Sequence, residues 1–214
     1  MADEWYRRKT WGPEGRQEFF ARLRRSRSLF HKSQYLRVQA IELQETGTAE
    51  GIAAALELIA ILIQEYPDLS QLAAAYLVEG ECREQSGDTD GAIEAYRQSI
   101  RAQRDYPNFR VNAHRSFAWL VATKPLPALY QEALNALDEM NETTPFPASR
   151  YRSSAARALI HGALGNSDSA RKWAKLALEA ADLTHSGMRY HPRLGLVENP
   201  GTRVRSKLEE LAAV

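Results

Sequence analysis

The sequence predicts an all-α fold, an α-α superhelix of about four helical hairpins with a capping helix at each end. Alanine, leucine, glutamate, glutamine and arginine dominate, which favours helices, and the alternating β-branched residues typical of strands are missing. Small residues recur about 40 residues apart, which indicates repeated helix pairs. Helix-breaking residues separate the predicted helices, at Gly47, Pro67, Gly87, Pro107, Pro125, Pro145 and Gly165. We expect one structural domain overall.

The composition is typical of a globular protein. Hydrophobic residues make up 44% and charged residues 26% of the 214 residues. No apolar run approaches the roughly 20 residues needed to cross a membrane, and the charged, aromatic start lacks the apolar centre of a secretory signal. The single cysteine, Cys82, rules out an internal disulfide and fits a reducing compartment. We therefore expect a cytoplasmic protein without a membrane partner.

The first segment, residues 1–32, is basic and is predicted to contain a capping helix. Residues 1–37 carry ten Lys and Arg and four acidic residues, a net charge of +6, whereas the rest carries 18 basic and 23 acidic residues, or −5. Such a basic front indicates a nucleic acid, an acidic partner or the chain's own acidic body as its target. Pro13 suits a first helical turn. An apolar stripe that can cover the first repeat follows, formed by Phe19, Phe20, Leu23 and Phe30.

Four helical repeats are predicted over residues 33–183, at 33–68, 71–108, 111–146 and 149–183. The first helix of each carries a small residue, at Ala40, Gly80, Ala118 and Ala158. The second helix carries an alanine near its start, at Ala55, Ala92, Ala133 and Ala170. One helical turn later stand Ile59, Tyr96, Leu137 and Ala174. A small residue lets the two helices of a hairpin approach closely, and a large residue one turn later fills the groove between them.

The stretch GECREQSGDTDGAIEAYRQSI, residues 80–100, shows this pattern in its clearest form. The small residue, the Gly-Asp turn and the spacing from alanine to aromatic are carried by Gly80, Gly87, Asp88, Ala92 and Tyr96. This pattern resembles the tetratricopeptide repeat. The resemblance implies a right-handed array of hairpins that acts as a non-enzymatic scaffold without a cofactor. It also implies that a protein or peptide binds the face lined by the first helix of each repeat.

The repeats depart from the family pattern at several positions. In the second repeat, Glu79 and Arg83 occupy places that the family fills with apolar residues, and their spacing of four allows an ion pair on the surface. The buried stripe of that helix would then be Ala75, Val78 and Cys82, which implies a rotated helix. The equivalent places in the fourth repeat hold Arg157 and His161.

The candidate partner-binding residues lie on one face of the first helices, at fixed offsets from each small residue. They are Arg37, Ile41, Glu81, Glu84, Arg115 and Trp119. Trp119 beside arginines is typical of an interface anchor, because Trp and Arg are enriched among residues that dominate binding energy. The alternative is that Trp119 packs against a neighbouring repeat or the N-terminal helix. The partner is an unidentified protein or peptide, and a homodimer through an exposed apolar face is compatible with this interpretation.

The alternative function is nucleic-acid association through the basic segment 7–37. Its candidate phosphate contacts are Arg16, Arg22, Arg24, Arg25 and Arg27. The phenylalanines between them lie at helical spacing, however, which favours a core stripe over base stacking. No nucleic-acid-binding motif accompanies the charge, so we expect a protein partner in preference to nucleic acid.

The last segment, residues 184–214, is predicted to be a loop rich in Gly, Pro and aromatic residues, followed by a capping helix. This loop contains two histidines, His185 and His191. Metal sites usually use more ligands than two, so we expect no metal site. Cys82 lies in a predicted helix with acidic neighbours, which favours a buried small side chain over a nucleophile. The chain lacks a Gly-rich phosphate loop, an HExxH motif and a GxSxG motif, and we expect no enzymatic activity.

Overall fold

A computed structural model describes residues 4–140 and 144–213 of the chain. Within these residues the chain forms ten α-helices, one short 3-10 helix and no strands, which confirms the all-α prediction. The helices form two compact units, Met1–Ala113 and His114–Val214, and the expectation of one domain overall stays a prediction. None of the helices in the described part of the chain is both long and apolar enough to cross a membrane.

The Met1–Ala113 unit contains five helices that follow the predicted order. They are α1 (Pro13–Arg25), α2 (Leu29–Gln44), α3 (Ala49–Glu65), α4 (Leu69–Gln85) and α5 (Thr89–Asp105). Helix α2 packs on α3 and α4 packs on α5, so the first two predicted hairpins form. Helix α2 also packs on α4, which places the first helices of consecutive repeats side by side.

Capping side chains explain why the hairpin helices begin where they do. Thr48 accepts a hydrogen bond from the backbone N–H of Gly51 at 3.0 Å, and Asp88 accepts one from Gly91 at 2.9 Å. Both satisfy backbone donors that the first turn of a helix leaves unpaired. Gly87, just before the second cap, has a φ of 83°, a left-handed conformation that favours glycine and ends the preceding helix.

A capping side chain also corrects the predicted N-terminal helix. Ser28 accepts a hydrogen bond from the backbone N–H of His31 at 3.3 Å and starts a new helix, α2, so α1 ends at Arg25. Phe19 and Leu23 are buried as predicted. Phe30 lies on α2 and is 39% exposed, so its assignment to the α1 stripe was wrong.

Residues 4–12 pack on the same core as α1. The Trp5 ring lies 5.2 Å from the Phe19 ring, and the Trp11 ring lies 5.4 Å from it. The backbone of Arg8 is held by the fully buried Gln39 side chain, whose Oε1 accepts from the Arg8 N–H at 3.0 Å and whose Nε2 donates to the Arg8 carbonyl at 2.6 Å. These contacts cover the apolar face of the first hairpin, as a capping segment must.

Helix α4 buries the stripe that its sequence predicts. Ala75, Val78 and Cys82 are buried in the core, whereas the Glu79 side chain is partly exposed. Arg83 Nη2 lies 2.8 Å from Glu79 Oε1, so the predicted ion pair is confirmed.

The His114–Val214 unit contains one further packed helical hairpin, α8 with α9. Its helices are α6 (Ala113–Thr123, beginning at the unit boundary), the 3-10 helix Pro127–Leu129, α7 (Tyr130–Glu139), α8 (Pro147–Ala163), α9 (Ser167–Ala181) and α10 (Thr202–Ala213). Helices α8 and α9 pack closely because alanines face each other between them, including the fully buried Ala158 and Ala174. The predicted capping helix α10 packs on both helices through the fully buried Leu208.

The segment between α9 and α10 lies against the start of α8. The Gly195 carbonyl accepts a hydrogen bond from the backbone N–H of Ala148 at 2.8 Å, and the Tyr151 hydroxyl donates to the Pro200 carbonyl at 2.5 Å. Gly195 itself lies close to the Phe146 ring. This loop is therefore held by specific contacts within its unit.

Candidate functional site

A groove of about 460 Å³ opens on the Met1–Ala113 unit between α2, α4 and the residues that follow α5. We call it the α2–α4 groove. Its lining residues are Arg37, Ile41, Gln44, Glu45, Ala74, Leu77, Val78, Glu81, Gln85, Phe109, Arg110, Val111 and Asn112. Helical spacing explains the lining, because residues three, four or seven apart share one face of a helix. On α2 these are Arg37, Ile41 and Gln44, and on α4 Ala74, Leu77 and Glu81.

Charged residues of both signs line the α2–α4 groove. Arg37 is half-buried and donates from Nε to Gln71 Oε1 at 2.9 Å, and its burial lowers its pKa. Glu81 Oε2 lies 3.4 Å from Gln44 Nε2. Gln44 stands seven residues after Arg37, which is about 10 Å along a helix. An apolar floor that includes Ile41 and Leu77 therefore lies between Arg37 and Glu81.

The third wall of the groove is fixed by a buried glutamine. Gln103, near the end of α5, accepts a hydrogen bond through Oε1 from the backbone N–H of Val111 at 2.7 Å. The backbone N–H of Phe109 lies 3.4 Å from the Tyr106 carbonyl. These bonds hold residues 109–112 beside the first helices, so the wall is part of the folded unit.

Residues 73–106, within this unit, match the family model of the tetratricopeptide repeat. This stretch is similar to one tetratricopeptide repeat. The match spans α4 from its second turn and all of α5, and it lies inside the second predicted repeat, 71–108. It therefore confirms the resemblance where the sequence pattern is clearest. No curated protein and no solved structure matches the chain.

Three of the six predicted partner-binding residues meet in the α2–α4 groove. Arg37 and Ile41 line it from α2, and Glu81 lines it from α4. Glu84, one turn after Gly80, instead accepts a hydrogen bond from the Tyr96 hydroxyl at 2.7 Å, within the α4–α5 hairpin. Its carboxylate thus contributes to the packing of the repeat.

The other two predicted residues belong to the His114–Val214 unit. The Trp119 ring lies 6.0 Å from the Tyr151 ring, and the Arg152 guanidinium stands 5.3 Å above the indole. Trp119 therefore contacts two residues of α8. Arg115 is only 8% exposed and lines a cavity of its own unit.

The predicted basic patch is partly paired with acidic residues of the same unit. Arg16 forms an ion pair with Glu57, and Arg22 Nη2 lies 2.8 Å from Glu18 Oε1. The Arg16–Glu57 pair fits the interpretation that the basic segment targets the chain's own acidic body, whereas the Arg22–Glu18 pair lies within α1. The remaining members of the patch, Arg24, Arg25 and Arg27, lie at the surface at the end of α1 and just after it.

The two loop histidines lie exposed near the end of the chain. His185 Nδ1 accepts a hydrogen bond from the backbone N–H of Gly187 at 2.9 Å, and the His191 carbonyl accepts one from the Ser186 hydroxyl. Within residues 4–140 and 144–213, no three His, Cys, Asp or Glu side chains are grouped so that they could hold a metal ion.

Cys82 is fully buried in the core of the Met1–Ala113 unit. Burial, together with the nearby carboxylates of Glu81 and Glu79, raises the pKa of its thiol to about 12. A thiol with this pKa carries almost no thiolate at neutral pH, so Cys82 is a core residue and not a nucleophile.

Proposed function

We propose that the chain is a scaffold that binds a short peptide segment of a partner protein in the α2–α4 groove. A tetratricopeptide repeat is typical of non-enzymatic protein-interaction scaffolds, and one of the two helices that line this groove belongs to the repeat. The observation that carries the proposal is the meeting of Arg37, Ile41 and Glu81 around one apolar floor.

The lining of the groove favours a peptide with an apolar residue between two charges. Leu77 and Ile41 offer apolar surface to one side chain of the peptide. Arg37 would pair with an acidic residue, and its partial burial makes such a pair stronger than one in open water. Glu81, about two helical turns away, would accept hydrogen bonds from a basic or amide side chain.

Rigidity of the walls supports binding to a preformed site. Helices α2 and α4 are backed by fully buried residues, among them Leu36, Ala40 and Ala75. The third wall is held by Gln103. A site that is already ordered loses little conformational entropy on binding, so more of the contact energy appears as affinity.

The test is a selection of peptides from a displayed random library on the immobilised full chain, followed by fluorescence anisotropy of labelled peptides. The Leu77→Lys variant places a charge on the apolar floor and should weaken binding at least about tenfold. The matched control is Leu69→Lys on the same helix, because Leu69 is 62% exposed and stands at the start of α4. Circular dichroism checks that both variants fold.

Three results would contradict the proposal. They are a failure to select any peptide, equal binding by wild type and Leu77→Lys, and equal losses in Leu77→Lys and Leu69→Lys. The selected sequences carry further information, because the charges of the groove predict an acidic residue on one side of the apolar residue and a basic or amide residue on the other.

The nucleic-acid alternative stays a prediction, and it is tested on the same protein. Binding of a labelled RNA or DNA that falls steeply with added salt and is lost on replacing Arg24, Arg25 and Arg27 by alanine would favour it. Leu77→Lys should leave that binding nearly unchanged, so the two functions separate.

A further inference from the structure

The His114–Val214 unit contains a cavity of about 470 Å³ that the scaffold function does not use. It lies among the start of α6, the end of α7 and the facing sides of α8 and α9. The polar side chains that line it include those of His114, Arg115, Arg150, Ser153, Ser154 and Arg157. We call it the arginine cavity.

Two polar residues that line the arginine cavity are themselves largely buried. His114 is 4% exposed and Ser154 is 7% exposed, and both line the cavity. An imidazole and a hydroxyl therefore line the cavity, and each can form a hydrogen bond with a polar ligand there.

The charges of the cavity specify the sign of that ligand. Arg115, Arg150 and Arg157 line it together with one carboxylate, Glu179. Arg157 Nη1 also donates to Asp138 Oδ1 at 2.6 Å, but Asp138 is 67% exposed and a guanidinium has further N–H groups to offer. Arg150 and Arg157 can therefore both donate hydrogen bonds to a ligand in the cavity, which favours an anion.

The number of donors favours phosphate over carboxylate. Two serine hydroxyls, an imidazole and the guanidinium groups converge on the cavity, more donors than the two oxygens of a carboxylate can satisfy. Arginine is the side chain best suited to bind phosphate oxygens, since its planar fork donates two parallel hydrogen bonds. Burial and the charges of Arg115 and Arg157 lower the pKa of His114 to about 4, so it is neutral at pH 7 and retains one N–H.

An apolar wall completes the arginine cavity. Trp173 lines it with Leu176 and Leu183, and the Arg157 guanidinium stands 4.8 Å above the Trp173 ring. Ligand sites of small molecules combine such a wall with a few converging polar groups, in cavities of about 300–1,000 Å³. A free inorganic anion would leave the apolar wall without a contact.

We propose that the arginine cavity binds a small organic phosphate monoester. Its phosphate accepts hydrogen bonds from Arg150, Arg157 and Ser154, and its organic part packs against Trp173. This site is independent of the peptide groove, which lies in the other unit.

The test is isothermal titration calorimetry of the full chain with phenyl phosphate at neutral pH. We expect one molecule bound per chain, and inorganic phosphate and benzoate should each bind at least about tenfold more weakly. Arg150→Gln and Ser154→Ala should both weaken phenyl phosphate about tenfold or more. Neither change removes a described ion pair or core contact, and circular dichroism checks folding.

The matched control is Arg152→Gln on the same helix. This change removes the same charge, but Arg152 stands over the Trp119 ring and does not line the cavity. It should change the affinity for phenyl phosphate less than about threefold. Absence of binding, or equal losses in Arg150→Gln and Arg152→Gln, would overturn the proposal. Benzoate binding as tight as phenyl phosphate would overturn the choice of phosphate, and equal binding of inorganic phosphate would overturn the choice of an ester.

Discussion

A methyl group added to Gly80 would lie 2.5 Å from the ring of Tyr96. The tyrosine cannot retreat easily, because its side chain is fully buried and its hydroxyl donates to Glu84 at 2.7 Å. Helix α4 thus needs a residue without a side chain where it meets α5. The two residues form the close contact between helices that the spacing of small and large residues predicts.

We expect Gly80→Ala to destabilise the chain by about 1–3 kcal/mol. Alanine favours a helix over glycine by up to about 1 kcal/mol, but overpacking against a fixed aromatic ring costs more than that gain. Urea unfolding followed by circular dichroism measures the difference. Gly12→Ala is the control, since a Cβ at Gly12 would meet nothing within 4 Å. An unchanged unfolding free energy in Gly80→Ala would show that Tyr96 can move.

The hairpins could be predicted because their signals are local. A Gly-Asp pair marks the turn between α4 and α5. The glycine adopts a left-handed conformation, the aspartate carboxylate caps the next helix, and both effects involve only residues nearby in the sequence. The spacing of small and large residues likewise fixes which faces of two neighbouring helices meet. Phe30 was assigned to the stripe of α1 because its spacing also fits a helix that continues through it. The Ser28 cap instead starts a new helix before Phe30.

A second prediction concerns the buried side chain of Gln39. Replacing it by leucine removes both hydrogen bonds to the Arg8 backbone, and we expect a loss of about 1–3 kcal/mol in the free energy of unfolding. Hydrogen–deuterium exchange should show faster exchange over residues 4–11, because this segment loses its anchor. Gln98→Leu, which removes only a contact with Glu94 on the surface, is the control. Unchanged exchange of the Arg8 amide would contradict the role of Gln39.

Contacts of this kind escape sequence reasoning because they join residues far apart in the chain. Gln39 reads as an ordinary polar helix residue, and only the folded chain brings Arg8 to it, 31 residues away in sequence. The same holds for Glu84, which the pattern assigned to a binding face. The hydroxyl of Tyr96, 12 residues later, donates a hydrogen bond to the Glu84 carboxylate within the α4–α5 hairpin.

A third prediction concerns the reactivity of Cys82. With a thiol pKa of about 12 and no exposed surface, Cys82 should react with a thiol reagent at pH 8 on the order of 10³ times more slowly than an exposed cysteine. Unfolding in denaturant should restore the ordinary rate. A Cys82→Ala/Ser86→Cys variant supplies the exposed control at the end of the same helix. Rapid modification of the native protein would show that α4 opens readily.

A fourth prediction concerns pH. The pKa of His114 falls from 6.5 to about 4 on folding. At a pH between these two values, His114 is protonated in the unfolded chain but neutral in the native chain. Stability is therefore lost as the pH falls, and this residue should account for a decrease of about 2 kcal/mol between pH 7 and pH 5. Urea unfolding at both pH values measures it.

The comparison variant for this experiment is His114→Gln, in which that part of the pH dependence should disappear. His185→Gln should keep it, because His185 is exposed. A pH dependence that is the same in wild type and His114→Gln would show that another group causes the loss of stability.

Part of the lining of the α2–α4 groove could be predicted from the sequence, whereas the arginine cavity could not. Helical spacing alone brings Arg37 and Ile41 to one face, but only the packing of α2 on α4 brings Glu81 to them. The cavity draws its groups from four helices, which no single pattern spans. Its one sequence signal was Arg157, an arginine where the repeat family has an apolar residue, and in the folded chain it is 7% exposed.

The four tryptophans of the chain divide evenly between the two compact units. Trp5 and Trp11 pack beside Phe19 in the first unit, whereas Trp119 and Trp173 belong to the second. Each unit therefore carries its own fluorophores. Replacing one pair by phenylalanine leaves an optical signal that belongs to the other unit alone, so coincident or separate melting curves would show whether the chain unfolds as one cooperative body.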